Sequence, residues 1–176
     1  KMSRTQIKSM IAESQGKPYE KRIAKEALDL DEVLSLLDYN KLFERLEKEV
    51  PPDKSTVMRR MEEYGLCVRN NYKWDITNMG AILFANNMSD FEGMQQHAVV
   101  VRKYVGTNNR DMLFEQIGNK GYVVGFEGLI HYVVKQTSTE SIGVVRKMIP
   151  SYPTIAIREF IANALVHQDF SMEGMR

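Results

Sequence analysis

Apolar residues recur at spacings of three and four through the first 65 positions, at Leu28, Leu30, Val33, Leu34, Leu36, Leu37, Leu42, Phe43 and Leu46. That spacing follows the helical period, so the segment is expected to form a small bundle of short helices. Ser3 and Asp31 are the expected N-caps, and Gly16-Lys17-Pro18 and Pro51-Pro52 separate the elements. From Asp53 the pattern changes. Lys54 to Tyr64 reads as a last helix with Val57, Met58 and Met61 inward. Leu66 to Arg69 and Tyr72 to Ile76 then read as two short strands joined at Asn70-Asn71, where asparagine tolerates a positive φ. Helices followed by a two-stranded hairpin give the outline of a winged helix.

Further on, Thr77 or Asn78 caps a short apolar helix through Ala85, and His97 to Val105 is rich in β-branched residues. Ala98-Val99-Val100-Val101 is expected to be a strand buried on both faces. An apolar helix is expected from about Phe126 to Lys135 and another strand from Ile142 to Ile149. Pro153 fits the first turn of a final helix, because its missing N–H has no intrahelical partner there. The fold class is therefore α+β in three parts. Residues 1–76 form a helical connector with a winged-helix-like element, 77–150 a mixed α/β region, and 151–176 the start of another module. Arg176 comes just after the turn signal Glu173-Gly174, where an α/β unit would continue into a strand, so the chain reads as a fragment.

Composition narrows the function classes. The 176 residues carry 24 Lys and Arg against 23 Asp and Glu, so no bulk field draws the chain to nucleic acid or an anionic membrane. Any DNA contact must come from a local patch. The one cysteine, Cys67, excludes an internal disulfide framework, and its setting Tyr64-Gly65-Leu66-Cys67-Val68 is that of a buried thiol, which suits a reducing cytoplasm. No apolar run is long enough to span a bilayer, so no membrane partner is expected.

Several motifs have a structural reading beside a functional one. Gly118, Gly121 and Gly125 could cradle a phosphate, but they lack the order of a dinucleotide fingerprint or a Walker A loop and read as a turn with close helix packing. Lys54, Arg59 and Arg60 on the last connector helix, with Arg69 and Lys73 on the hairpin, can contact DNA phosphates. Asp53, Glu62, Glu63 and Asp75 are interleaved with them, as on an ordinary solvated face. His97, His131 and His167 lie far apart without metal-ligand spacing, and His131 reads as a core or edge residue. No Ser-His-Asp or Cys-His arrangement can be assembled.

The final helix carries the most specific chemistry. Glu159, Asn163 and His167 recur every fourth residue and form one polar stripe, about half a turn from Ile157, Ile161 and Leu165. Nucleotide hydrolysis needs oxygen ligands for Mg2+ and a group that orients or deprotonates water near the γ-phosphate. Asn163 suits the metal ligand and Glu159 the base, and His167 could approach the phosphates or cap the helix C-terminus. A solvated stripe on an amphipathic helix is the competing reading.

The segment Tyr152-Pro153-x-x-Ala156-Ile157-Arg158-Glu159-x-x-Ala162-Asn163-Ala164-Leu165-Val166-His167-Gln168-Asp169-Phe170-Ser171 resembles the start of the RecG C-terminal-like ATPase module of bacterial transcriptional regulators. It looks like the N-box of the ATPases related to gyrase, Hsp90, histidine kinases and MutL (GHKL). Four upstream segments resemble the connector of the same regulators, in the same order: Tyr19 to Ala24, Leu30 to Tyr39, Asp75 to Ala85, and Gly121 to Glu127. The resemblance covers nearly the whole chain. It implies an ATP-responsive regulator that reaches DNA through a Schlafen AlbA-type domain expected before Lys1, and by analogy a homodimer. ATP and Mg2+ are implied for the full-length protein and none for the fragment, because the Asp-x-Gly-x-Gly segment and the glycine-rich lid of the family do not occur here. The resemblance leaves open whether ATP is hydrolysed or only sensed. A non-catalytic connector, or a winged helix binding DNA through residues 54–73, are the alternatives.

Overall fold

The computed structural model describes residue 16 and residues 18–106, 110–141 and 147–170, and its fold is mixed α+β. Ser3 and residues 142–146, on which one expected cap and most of one expected strand fall, lie outside the described residues.

The N-terminal part is not purely helical. After a 3-10 turn at Tyr19–Lys21 the chain forms a strand, β1 (Ile23–Leu28), before α1 (Leu30–Leu36), α2 (Tyr39–Arg45) and α3 (Lys54–Glu63). β2 (Cys67–Asn70) and β3 (Lys73–Thr77) then make the expected hairpin, with Asn71 at φ 55° in its turn. β1 lies antiparallel on the other side of β3, giving the order β1-β3-β2. Two irregularities in register interrupt β1, and Ala27 adopts φ 58°. A non-glycine residue holds that conformation only when its surroundings fix it. Here the Ala27 N–H donates to Asp75 Oδ1 at 2.8 Å, while Asp75 Oδ2 accepts from Asn70 Nδ2 at 3.0 Å. One buried carboxylate thus ties the bulge of β1 to the hairpin.

Local chemistry sets the helix starts. The cap of α1 is Asp29, two residues before the expected Asp31, and its N–H donates to Glu32 Oε2 at 2.6 Å, one half of a capping box. Asp53 caps α3 by accepting from the Thr56 N–H at 2.7 Å, and hydrogen bonding by the Thr56 side chain, with this N–H second, lowers the Asp53 pKa. Val57, Met58 and Met61 are buried as their spacing requires. Cys67 is fully buried, and desolvation pushes its thiol up to about 12. Thr77 caps α4 (Asn78–Phe84) by accepting from the Gly80 N–H at 3.1 Å. Gly80 has no room for a side chain, because a Cβ would run into the Leu66 carbonyl.

One buried cluster runs from Leu28 through Val33, Met58, Ile76, Ile82 and Phe91 to Tyr122. Beyond it, β4 (Val100–Tyr104) and β5 (Met112–Ile117) form a two-stranded antiparallel ribbon. Ala98 to Val101 were expected to be buried on both faces, but they are only partly buried, since the ribbon has two strands among the described residues and a cavity separates it from α5 (Tyr122–Thr137). α5 begins one turn earlier than Phe126, and His131 is on its exposed face rather than in the core. β6 (Ser138–Ser141) and β7 (Lys147–Pro150) pair antiparallel, so the expected strand at 142–149 is represented by its last residues and an unforeseen partner. α6 (Thr154–Val166) closes the described chain, with Pro153 as its N-cap rather than in its first turn.

Candidate functional site

α6 buries one side and leaves the predicted stripe free. Ile157 is buried, Ile161 and Leu165 are half-buried, and Glu159, Asn163 and His167 are all exposed. The helical spacing therefore does what it predicts: three polar side chains line one face, half a turn from the residues that dock. His167 is the C-cap, its N–H donating to the Asn163 carbonyl at 3.1 Å.

Two attachments hold α6. Near its start, Arg158 donates to Glu127 Oε1 at 3.0 Å and Oε2 at 2.6 Å, and its guanidinium lies 5.5 Å from the Phe126 ring centre. Arg45 of α2 donates to the same Oε1 at 2.9 Å. Two guanidinium groups on one carboxylate favour its charged form and hold Glu127 down at about 2. Just after the helix, the Tyr122 hydroxyl lies 2.9 Å from Gln168 Oε1 and 2.7 Å from the His97 carbonyl. A phenol has one proton, so it donates to one of these oxygens; turning the Gln168 amide lets its NH2 donate back to the phenol oxygen. Burial pushes this phenol up to about 12.

Around Tyr122, Phe170 meets the His97 ring edge-on at 5.9 Å, and Tyr19 places its hydroxyl 2.7 Å from His97 Nε2. His97 is 5% exposed and desolvation lowers its pKa, and its Nε2 shares a hydrogen bond with the Tyr19 hydroxyl whose direction is set by the imidazole tautomer. Asn78 Nδ2 donates to the Tyr19 carbonyl at 3.0 Å, and the Gly121 N–H donates to the Ala85 carbonyl at 2.9 Å. A Cβ at Gly121 would lie 2.7 Å from Ala85 N and from Leu83 C and O, so close packing explains this glycine. Tyr19, Asn78, Tyr122 and Phe170 meet around His97, while Glu127 and Arg158 form a bridge of their own with Arg45. Sequence reasoning missed Arg45 and His97 as members of these two groups, because a lone Arg and a lone His carry no spacing signal.

The basic residues behave differently. Lys54 pairs with Asp31, Arg60 with Glu63 and Lys73 with Asp29, each at 2.7 Å. The Asp31 hydrogen bond raises the Lys54 pKa. The structure brings Arg59 and Arg69 together in a cleft of about 360 Å³ with Glu62, Tyr72 and Trp74. Arg69 Nε donates to the Asn71 carbonyl at 3.3 Å and its guanidinium lies 6.0 Å from the Trp74 ring centre. Lys54, Arg60 and Lys73 are thus each paired with a carboxylate of the same chain, in exposed pairs that water screens.

Among the described residues no group of three or more His, Cys, Asp and Glu side chains could hold a metal, and no helix is long and apolar enough to cross a membrane. Glu159 and Asn163 offer side-chain oxygens on one face, which suits Mg2+ shared with phosphates and water rather than an all-protein cage. Comparison with protein-family models, curated proteins and solved structures gives no match.

Proposed function

We propose that this chain belongs to an ATP-responsive, DNA-associated bacterial transcriptional regulator and supplies its connector and one wall of its nucleotide site. Asn163 is the Mg2+ ligand, Glu159 the base or water-positioning group, and His167 a phosphate-side neighbour. The observation that carries this reading is the mounting of α6: Ile157 is buried and Arg158 bridged, while Glu159 and Asn163 stay exposed. A helix fixed from one side presents its opposite stripe at a defined angle, as a metal-nucleotide site requires. The order β1, α1, α2, α3, β2, β3, with β1 beside β3, is compatible with the winged-helix-like outline expected from the sequence and supports the same regulator reading. On this reading the protein is cytoplasmic and an AlbA-type domain holds DNA, with a homodimer suggested by analogy alone.

Calorimetric titration of Mg-ATP into the full-length protein tests the site. Saturable heat that Asn163→Ala abolishes is expected. If Glu159 is the base, Glu159→Ala retains binding and loses phosphate release. Absence of binding heat in the wild type sinks the reading and leaves a non-catalytic connector.

A second reading gives the winged-helix element its own DNA contact through Arg59 and Arg69. It is favoured by their common cleft beside Tyr72, which is 95% exposed. Phosphate contacts make affinity fall steeply with salt. An affinity with no salt slope, or one unchanged by Arg59→Ala with Arg69→Ala, removes it.

A further inference from the structure

A cavity of about 450 Å³ lies between the β4–β5 ribbon and α5, and Leu165 of α6 closes one side of it. Its size is that of a site for a small organic molecule. The walls are chemically one-sided. Val99, Val101 and Ile117 line the ribbon side, and Leu129 and Tyr132 the helix side. Lys120 is the only charged residue among those lining it, and it makes no ion pair among the described residues. The cations nearby on β4 are committed elsewhere, Arg102 to Glu115 at 2.6 Å and Lys103 to the Gln136 carbonyl at 2.7 Å. With no carboxylate in its lining and one unmatched cation, the cavity is complementary to an apolar body bearing one negative charge.

The helix wall adds an independent constraint. Gly121, the N-cap of α5, and Gly125 and Gly128 within the helix all line the cavity. Close packing against Leu83 and Ala85 accounts for Gly121. Nothing among the described residues accounts for Gly128, where an added Cβ meets no atom within 4 Å, and at Gly125 it would make only an ordinary 3.5 Å contact with Lys120. Neither has a positive φ. Glycine in a helix interior weakens it relative to alanine. What these two positions provide is bare backbone: a flat wall opposite the ribbon, with the Tyr132 ring at one end.

We propose that this cavity binds a small aromatic carboxylate, its ring against the glycine face of α5 and its carboxylate at Lys120. The binding is tested with indole-3-acetate, and with 3-methylindole as its neutral counterpart, by calorimetry on the full-length protein without nucleotide. The outcome is therefore independent of the ATP reading. Saturable binding of indole-3-acetate is expected, weakened about tenfold or more by Gly128→Leu, which fills the cavity while favouring the helix. Ile117→Trp fills it from the ribbon side and is expected to act alike, which covers any folding defect in the first variant. Lys120→Gln is expected to weaken indole-3-acetate about tenfold and leave 3-methylindole unchanged. No saturable binding in the wild type, an affinity indifferent to both filling variants, or an equal loss for both probes in Lys120→Gln overturns the proposal. A dimer that dissociates in Gly128→Leu, with no probe binding, assigns the face to a second copy and also overturns it.

Discussion

Arg158 grips both oxygens of the Glu127 carboxylate, at 3.0 and 2.6 Å, and so fixes the helix that carries Glu159 and Asn163 to the middle of α5. The three side chains of this bridge, counting Arg45, are between 36% and 49% exposed, so water screens their attraction. Its contribution is geometric: a bidentate pair sets an orientation that a point contact does not. Glu127→Gln is expected to move Tm by at most a few degrees while amide exchange across α6 quickens. A large fall in Tm with α6 exchange unchanged would refute this division of roles.

The same bridge has a pH signature. The Glu127 carboxyl ordinarily titrates at 4.5 and is held at about 2, so the folded state binds fewer protons than the unfolded one between those values. Its contribution is complete above 4.5 and fades as pH falls toward 2. Amide exchange in α6, corrected for its intrinsic pH dependence, should loosen over this acid range in the wild type. Glu127→Gln should show no such step.

His97 gives a second pH window. Its pKa lies below 6.5 because burial disfavours the imidazolium, so the unfolded chain takes up a proton first. Stability from the neutral ring is present above 6.5 and declines as pH drops from 6.5 through the folded-state value. Urea unfolding at pH 7.5 and at pH 5.5 should show the decline, and His97→Phe should flatten it. Tyr19→Phe removes the hydroxyl that shares a hydrogen bond with His97 Nε2 and is expected to cost about 0.5 to 1.5 kcal/mol at neutral pH, the net worth of one hydrogen bond.

Two glycines are steric necessities. Gly80→Ala drives a methyl into the Leu66 carbonyl, and Gly121→Ala puts one 2.7 Å from backbone atoms of Leu83 and Ala85. Backbone cannot rotate away as a side chain can, so each is expected to cost about 1 to 3 kcal/mol or more in urea unfolding. Gly128→Ala, with open space around it, should instead be neutral or stabilising.

Strong periodicity and the Thr77 cap were legible in the sequence, whereas the cap of α1 is Asp29 and not Asp31. Val57, Met58 and Met61 placed α3, Asn70-Asn71 placed the hairpin turn, and the spacing of Ile157 and Leu165 placed the free face of α6. β1 was not legible, because Ile23, Ala24, Ala27 and Leu28 also fit one face of a helix and Ala, Lys and Glu favour one. The strand is decided by pairing with β3 and by the Asp75 bond to the Ala27 N–H, both long-range. The ribbon partner β5 was invisible for a related reason. Met112 to Ile117 is almost entirely exposed, so no buried face imposes the two-residue alternation that marks a strand.

β1 also sets an order of assembly. β2 and β3 are neighbours in sequence and close across one turn, whereas Leu28 must find Trp74 across three intervening helices. Joining distant segments carries a larger loop-closure entropy, so the hairpin forms first and β1 arrives late. Until it does, the backbone groups of β3 on that side stand open to any other extended strand. The residues that finish this sheet are therefore the ones that guard the young chain against pairing with its neighbours.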